Sequence, residues 1–157
     1  SIFDYLCYQI KKNMTLKQLI QLEDKAKEVW VISPTLHYDV ANKDFSELVS
    51  VNLGQKTKYK YIVPASKEIN EHIDLYKNIY GLSEAEIQQN FLILAEADFL
   101  PFMMEIGIYE GNSDDCVACA APGLEDGDDV IKFSKKTSQN MAQSFKAIWK
   151  KYKRVEI

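Results

Sequence analysis

Val29-Trp30-Val31-Ile32-Ser33-Pro34 decides the fold. Four successive β-favouring apolar residues without polar alternation mark a strand covered on both faces, and Pro34 stops it because proline gives no N–H to a ladder. Lys58-Tyr59-Lys60-Tyr61-Ile62-Val63-Pro64 is a second strand with the same stop, and Phe91 to Ala95 a third. The segments before and between them change to helical spacing. Thr15-Leu16-Lys17-Gln18 has the form of a capping box, and Leu16, Leu19, Ile20 and Ala26 carry a helix to about Glu28. Phe45, Leu48, Val49 and Leu53 give a short amphipathic helix closed by Gly54 as its C′ residue. Ser66 caps a helix with Ile69, Ile73, Tyr76 and Tyr80 on one stripe, Gly81 ends it, and Ser83-x-x-Glu86 starts another.

Downstream the connections shorten. Phe102 to Tyr109, Cys116 to Ala121 and Val130 to Phe133 read as strands joined by Gly- and Asp-rich turns, and Ser138 to Lys153 as a closing helix with Phe145 and Trp149 on its apolar face. The pattern predicts an α/β fold with a mixed β-sheet. Its first three strands are parallel with right-handed helical crossovers, its later strands antiparallel, and helices cover the sheet.

A chain of 157 residues with 46% hydrophobic residues is expected to form a single domain over 1–157, with 1–14 as an N-terminal extension. Its opening, Ser1-Ile2-Phe3, reads as a domain excised from a longer protein. A net charge of −4 offers no global field for nucleic acid, and no apolar run approaches a bilayer span, so neither nucleic acid nor membrane is an expected partner. Three cysteines, Cys7, Cys116 and Cys119, form no disulfide framework, which fits a reducing cytoplasm. Cys116-x-x-Cys119 lacks the second pair that zinc needs, and Leu124 to Asp129 reads as a turn rather than a calcium loop, so no metal is expected. Neither a dinucleotide fingerprint nor a P-loop occurs, and no cofactor is expected. Lys58-Tyr59-Lys60-Tyr61 alternates base with aromatic, as a single-strand binder would, but a strand with edge lysines has the same pattern. Charge is divided: Asn78 to Ile131 has twelve acids and no Lys or Arg, whereas Lys132 to Arg154 has eight basic residues.

Ligands of open parallel sheets bind beyond the carboxyl ends of the strands. That rule selects Ser33, Thr35, His37 and Ser66 as candidate ligand-binding residues, and Glu96 and Asp98 after the third strand. His37 with Glu96 or Asp98 are the catalytic candidates, His37 as a base and the acids as a carboxylate pair.

The order of segments resembles the phospholipase D-like superfamily. The likeness rests on Ala26-Lys27-Glu28-Val29-Trp30-Val31-Ile32-Ser33-Pro34, on Lys58 to Pro64, on the pair Ile106-Gly107-Ile108-Tyr109 and Val117-Ala118-Cys119-Ala120-Ala121, and on a closing helix with Phe145 and Trp149. Active members of that family carry H-x-K on a strand, a nucleophilic histidine beside a phosphate-neutralising lysine. The corresponding stretch here, Phe102 to Tyr109, contains neither residue. The resemblance therefore implies a degenerate half without phosphodiesterase activity, of the kind that serves bacterial and archaeal proteins as a ligand-sensing or interaction module. It also implies a small-molecule or nucleotide ligand and a homodimer, since the family builds its site from two halves. The alternatives are a hydrolase or transferase acting on a phosphate- or nucleotide-containing substrate through His37 and Glu96 or Asp98, and a protein-interaction or oligomerisation module built on the last helix.

Overall fold

The computed structural model describes residues 13–99 and 104–157. Its sheet runs in the order β1-β7-β6-β5-β2-β3-β4. The strands are β1 (Asn13–Met14), β2 (Glu28–Ile32), β3 (Lys58–Pro64), β4 (Phe91–Leu94), β5 (Met104–Tyr109), β6 (Val117–Pro122) and β7 (Val130–Lys132). The helices are α1 (Leu16–Glu23), α2 (His37–Ala41), α3 (Lys43–Gly54), α4 (Lys67–Tyr80), α5 (Glu84–Asn90) and α6 (Lys135–Lys153). β2, β3 and β4 are parallel, with Trp30 beside Lys60 and Tyr61 beside Phe91. β5 then returns antiparallel to β2, placing Gly107 opposite Val31, and β6, β7 and β1 continue antiparallel. This is the mixed α/β sheet that the sequence predicts.

Strand alternation divides the core into two layers. Val29, Val31, Tyr59, Tyr61, Val63, Tyr109 and Cys119 face α1 to α5, while Trp30, Ile62, Leu92, Ile108 and Ala118 face Phe145 and Trp149 of α6. Trp30 stacks on Phe145 at 5.2 Å and Phe145 on Trp149 at 5.8 Å, so three rings form one file across the sheet. Each such buried ring contributes about 2 to 3 kcal/mol relative to exposure. The same alternation separates the cysteines: Cys116 lies in the α6 layer and Cys119 in the other, and both are free. They cannot share a metal, and no group of three or more candidate metal ligands occurs among the described residues.

The local signals hold where they are shortest in range. The side chains of Thr15, Ser66 and Ser83 accept from the amides of Gln18, Ile69 and Glu86 as caps. Boundaries set by backbone strain differ from the reading. α1 stops at Glu23 instead of running to Glu28, because Lys25 takes a left-handed φ of 63°. Gly54 is the last residue of α3 rather than its terminator, and the left-handed position falls on Lys56 at φ 67°. α6 begins three residues early under a Ser134 cap, and Ser138 turns inward to accept from the Ala118 amide at 2.9 Å. The short α2 has no counterpart in the reading. Of the predicted N-terminal extension, Asn13 and Met14 form a marginal strand on β7. Cys7 and the start of the strand expected at Phe102 lie outside the described residues.

No helix among the described residues is long and apolar enough to cross a membrane. The acidic half and the last helix pair sparingly. Lys135 reaches Asp115 at 3.2 Å, whereas Lys150 turns to Glu156 at 2.6 Å.

Gly111, just past β5, sits against the six-membered ring of the fully buried Trp30, and a Cβ there would overlap that ring. Because Trp30 is clamped by Phe145, it has no free volume to enter. Gly111→Ala is expected to cost about 1–3 kcal/mol, read as a lower urea midpoint with an unchanged slope; an unaltered midpoint would show that the ring can move.

Candidate functional site

The carboxyl ends of the parallel strands are closed by hydrogen bonds rather than open. Ser33, at the end of β2, is wholly buried; its hydroxyl donates to Glu105 Oε2 at 3.0 Å and accepts from the Leu36 amide at 2.8 Å. Thr35 is buried too, and its Oγ1 donates to the Gly123 carbonyl. The His72 ring bonds the Thr35 carbonyl. His37 is half-buried at the start of α2 and pairs through Nε2 with Asp126 at 2.9 Å, and Asn42 donates to the same carboxylate oxygen at 3.0 Å. The Asn42 amide and the His37 ring hold Asp126 below the usual carboxylate range. Ser66 caps α4. Glu96 and Asp98 are exposed after β4, and neither bonds or pairs with His37 among the described residues. Thus Ser33, Thr35 and His37 come together around the α2 turn, while Ser66, Glu96 and Asp98 do not join them.

The sequence reading missed the polar layer beneath that turn. Glu23 from the end of α1, Asp39 from α2 and Glu105 from β5 are all buried between the sheet and the helices. Tyr59 and Tyr109 donate to Glu23 at 2.8 and 3.0 Å, and Asn52 donates to the Tyr59 hydroxyl at 3.0 Å. Tyr61 donates to Asp39 Oδ1 at 2.8 Å and receives a bond from Tyr76 at 3.2 Å. Asp39 Oδ2 is buried with no hydrogen-bond partner among the described residues. Gly107 creates room for one of these bonds: a Cβ there would stand 2.7 Å from the Tyr109 hydroxyl that lies back over it. The signal was available in the period-2 pattern of β5, which sends Glu105, Gly107 and Tyr109 to one face.

Burial sets the chemistry of this layer, because removing a carboxyl from water favours its neutral form. Burial first, and then the charge of Asp39, push Glu23 up to about 8 against the opposing pull of the Tyr59 and Tyr109 hydroxyls. Burial raises Asp39 as well, opposed by Tyr61, and burial followed by the neighbouring Asp39 raises Glu105 well above its ordinary value. Burial thus favours the neutral forms of these acids and phenols, with Glu23 pushed up to about 8 and Asp39 to about 7. A closed space of about 20 Å3 touches Glu23, Glu105 and Tyr109, which is room for about one water molecule.

The alternation of base and aromatic in Lys58 to Tyr61 has a structural outcome. Tyr59 and Tyr61 are buried under the helices, and β3 lies inside the sheet between β2 and β4. These tyrosines offer no face on which a base could stack.

Compared with protein-family models and with curated proteins, the chain matches none.

The buried layer has a thermodynamic signature. At low pH folded and unfolded chains both hold the Glu23 proton. Between the unfolded carboxyl value near 4.5 and the folded value of about 8, only the folded chain keeps it. Stability is therefore greatest at the acid end of this window and declines by up to about 1.4 kcal/mol per pH unit for one such group. Urea unfolding is expected to give a falling free energy from pH 5 to pH 8, and Glu23→Gln should remove part of that slope. Identical slopes in the two proteins would mean that Glu23 is ionised inside the fold.

Proposed function

We propose that this domain is a non-catalytic ligand-sensing or regulatory module, a degenerate half of the phospholipase D-like kind. The observation that carries the reading is the inward face of β5. A phosphodiesterase of that family needs an imidazole and an amine there. This chain instead presents Glu105, Gly107 and Tyr109, and Glu105 is bonded to Ser33 in a buried contact. A carboxyl group in that place supplies neither the imidazole that attacks phosphorus nor the cation that neutralises a phosphate. The two histidines of the chain are occupied elsewhere, His37 with Asp126 and His72 with the Thr35 carbonyl.

A regulatory half of this kind is read out by association with a second copy, and the same resemblance supports a homodimer. Its ligand is a small molecule or nucleotide, and its setting the cytoplasm. The rigid bonding around α2 suits signal transmission better than turnover, because Ser33, Thr35, His37 and Asn42 tie β2, α2 and the loop from Gly123 to Asp129 into one unit.

The test is hydrolysis of bis(p-nitrophenyl) phosphate by the purified chain, with and without divalent cations. Release of nitrophenol at the buffer rate is expected, for the native protein and for His37→Ala alike. Turnover that His37→Ala lowers at least ten-fold would overturn the reading in favour of a hydrolase.

A further inference from the structure

The opposite end of the sheet is open. Where β2 and β3 begin, a cleft of about 740 Å3 lies between the two loops that enter them, a volume in the usual range for small-ligand sites. Lys25 and Lys27 come from the first loop, Lys56 and Lys58 from the second, and all four are exposed. The strands are parallel, with Glu28 beside Lys58, so the loops that enter them are neighbours and all four lysines line the same cleft. None of the four forms an ion pair among the described residues.

The cleft also has two carboxylates, and both are engaged. Glu28 accepts from the Asn112 amide at 2.8 Å. Glu110 accepts from the backbone amides of Lys27 and Glu28 at 2.5 and 3.4 Å, so this end already seats a carboxylate of the chain itself on backbone donors. Four ammoniums against two carboxylates leave a net charge of +2 in a protein of net charge −4. The carboxyl ends of α1 and α3 point here as well, and each offsets about half a charge. The balance remains positive.

Backbone strain gathers at the same place. Of the five non-glycine residues with positive φ among the described residues, three line this cleft: Lys25 at 63°, Lys56 at 67° and Glu110 at 54°. Lys25 and Lys56 follow the ends of α1 and α3, where a left-handed residue commonly stops a helix, and glycine would adopt these angles with less strain. The loops are also fixed relative to each other. Thr57 donates to the Ala26 carbonyl at 2.6 Å, the Lys58 amide donates to the Lys27 carbonyl at 2.9 Å, and Asn52 grips both the Glu23 carbonyl and the Lys25 amide. The ammoniums therefore stand on a pre-organised frame, which lowers the ordering cost of binding.

We infer that this cleft binds a small ligand carrying adjoining phosphate groups, held by Lys25, Lys27, Lys56 and Lys58. A diphosphate or triphosphate matches the excess of positive charge and the four ammoniums along one cleft, whether it comes as a nucleotide or as free polyphosphate. The site is independent of the phosphodiesterase question, since it lies at the other end of the strands from Ser33 and His37, and hydrolysis measured there would leave it untouched.

The experiment is calorimetric titration of the full chain with ADP and with inorganic tripolyphosphate, at about 150 mM salt so that exposed charges are screened. Saturable binding of one ligand per chain is expected, and the tighter of the two probes identifies the source of the phosphates. Lys56→Glu with Lys58→Glu should weaken binding at least ten-fold, while Lys132→Glu with Lys136→Glu, exposed residues outside the cleft, should change it less than two-fold. Lys25→Gly with Lys56→Gly guards against a folding artefact: it relieves the left-handed strain, so thermal stability should hold or rise while affinity falls at least five-fold. No binding of either probe up to millimolar concentration, or unchanged affinity in the glycine variant, would overturn the proposal. So would preferential binding of a single-stranded oligonucleotide with several chains on each strand, which would make the surface a nucleic-acid track.

Discussion

Burying carboxyl groups without a cation is costly unless hydrogen bonds support them and their neutral form is favoured, and this domain buries Glu23, Asp39 and Glu105 in one layer. Much of the architecture answers to that requirement. β3 turns two tyrosines inward, and each finds a carboxyl from a different helix, Tyr59 with Glu23 and Tyr61 with Asp39. β5 contributes a third acid, a tyrosine, and between them a glycine that lets the tyrosine lie flat. Asn52 then joins the layer to the loops, because the amide that supports Tyr59 also binds the Glu23 carbonyl. Truncating one of these groups would leave its partners buried and unsatisfied, so the network is stabilising as a whole more than by its separate bonds.

The division of the molecule into a sealed end and an open end follows from the same frame. At the carboxyl ends of the parallel strands, the side chains of Thr35, Tyr38 and His37 bond the loop from Gly123 to Asp129, at the Gly123 and Glu125 carbonyls and the Asp126 carboxylate. At the amino ends, Thr57, Asn52, Glu28 and Glu110 are bonded, while Lys25, Lys27, Lys56 and Lys58 are left to solvent. The usual expectation for parallel sheets selects the first end. The hydrogen bonding and charge of this chain give the second end the capacity to take up an anion.

Legibility in the sequence followed the range of the interaction. Caps were readable because donor and acceptor are three residues apart, as in Thr15 with Gln18 and Ser83 with Glu86. β2 and β4 were readable because covered strands show as unbroken apolar runs, and β3 because its apolar half runs to Pro64. The ends of α1 and α3 were not, since the left-handed residues there are lysines where glycine is the usual signal. The buried acids escaped because Glu23, Asp39 and Glu105 look like surface residues until partners 36, 22 and 72 positions away arrive. His37 was recognised as a candidate but given the wrong neighbours: its partner Asp126 is 89 residues distant, in a loop read only as a turn.

The margins of the sheet are its short strands. β1 spans two residues and β4 four, while the six-residue strand β5 and the seven-residue strand β3 lie inside. A free edge is a template on which a foreign strand can polymerise, and its strength grows with the length of the unpaired ladder. Among the described residues that template is one pair of residues long on β1, and on β4 it is a single turn of pleat around the half-exposed Ile93. Among the described residues the shortness of the outer strands limits this template, with no charged residue along β4, where the sequence is Phe-Leu-Ile-Leu.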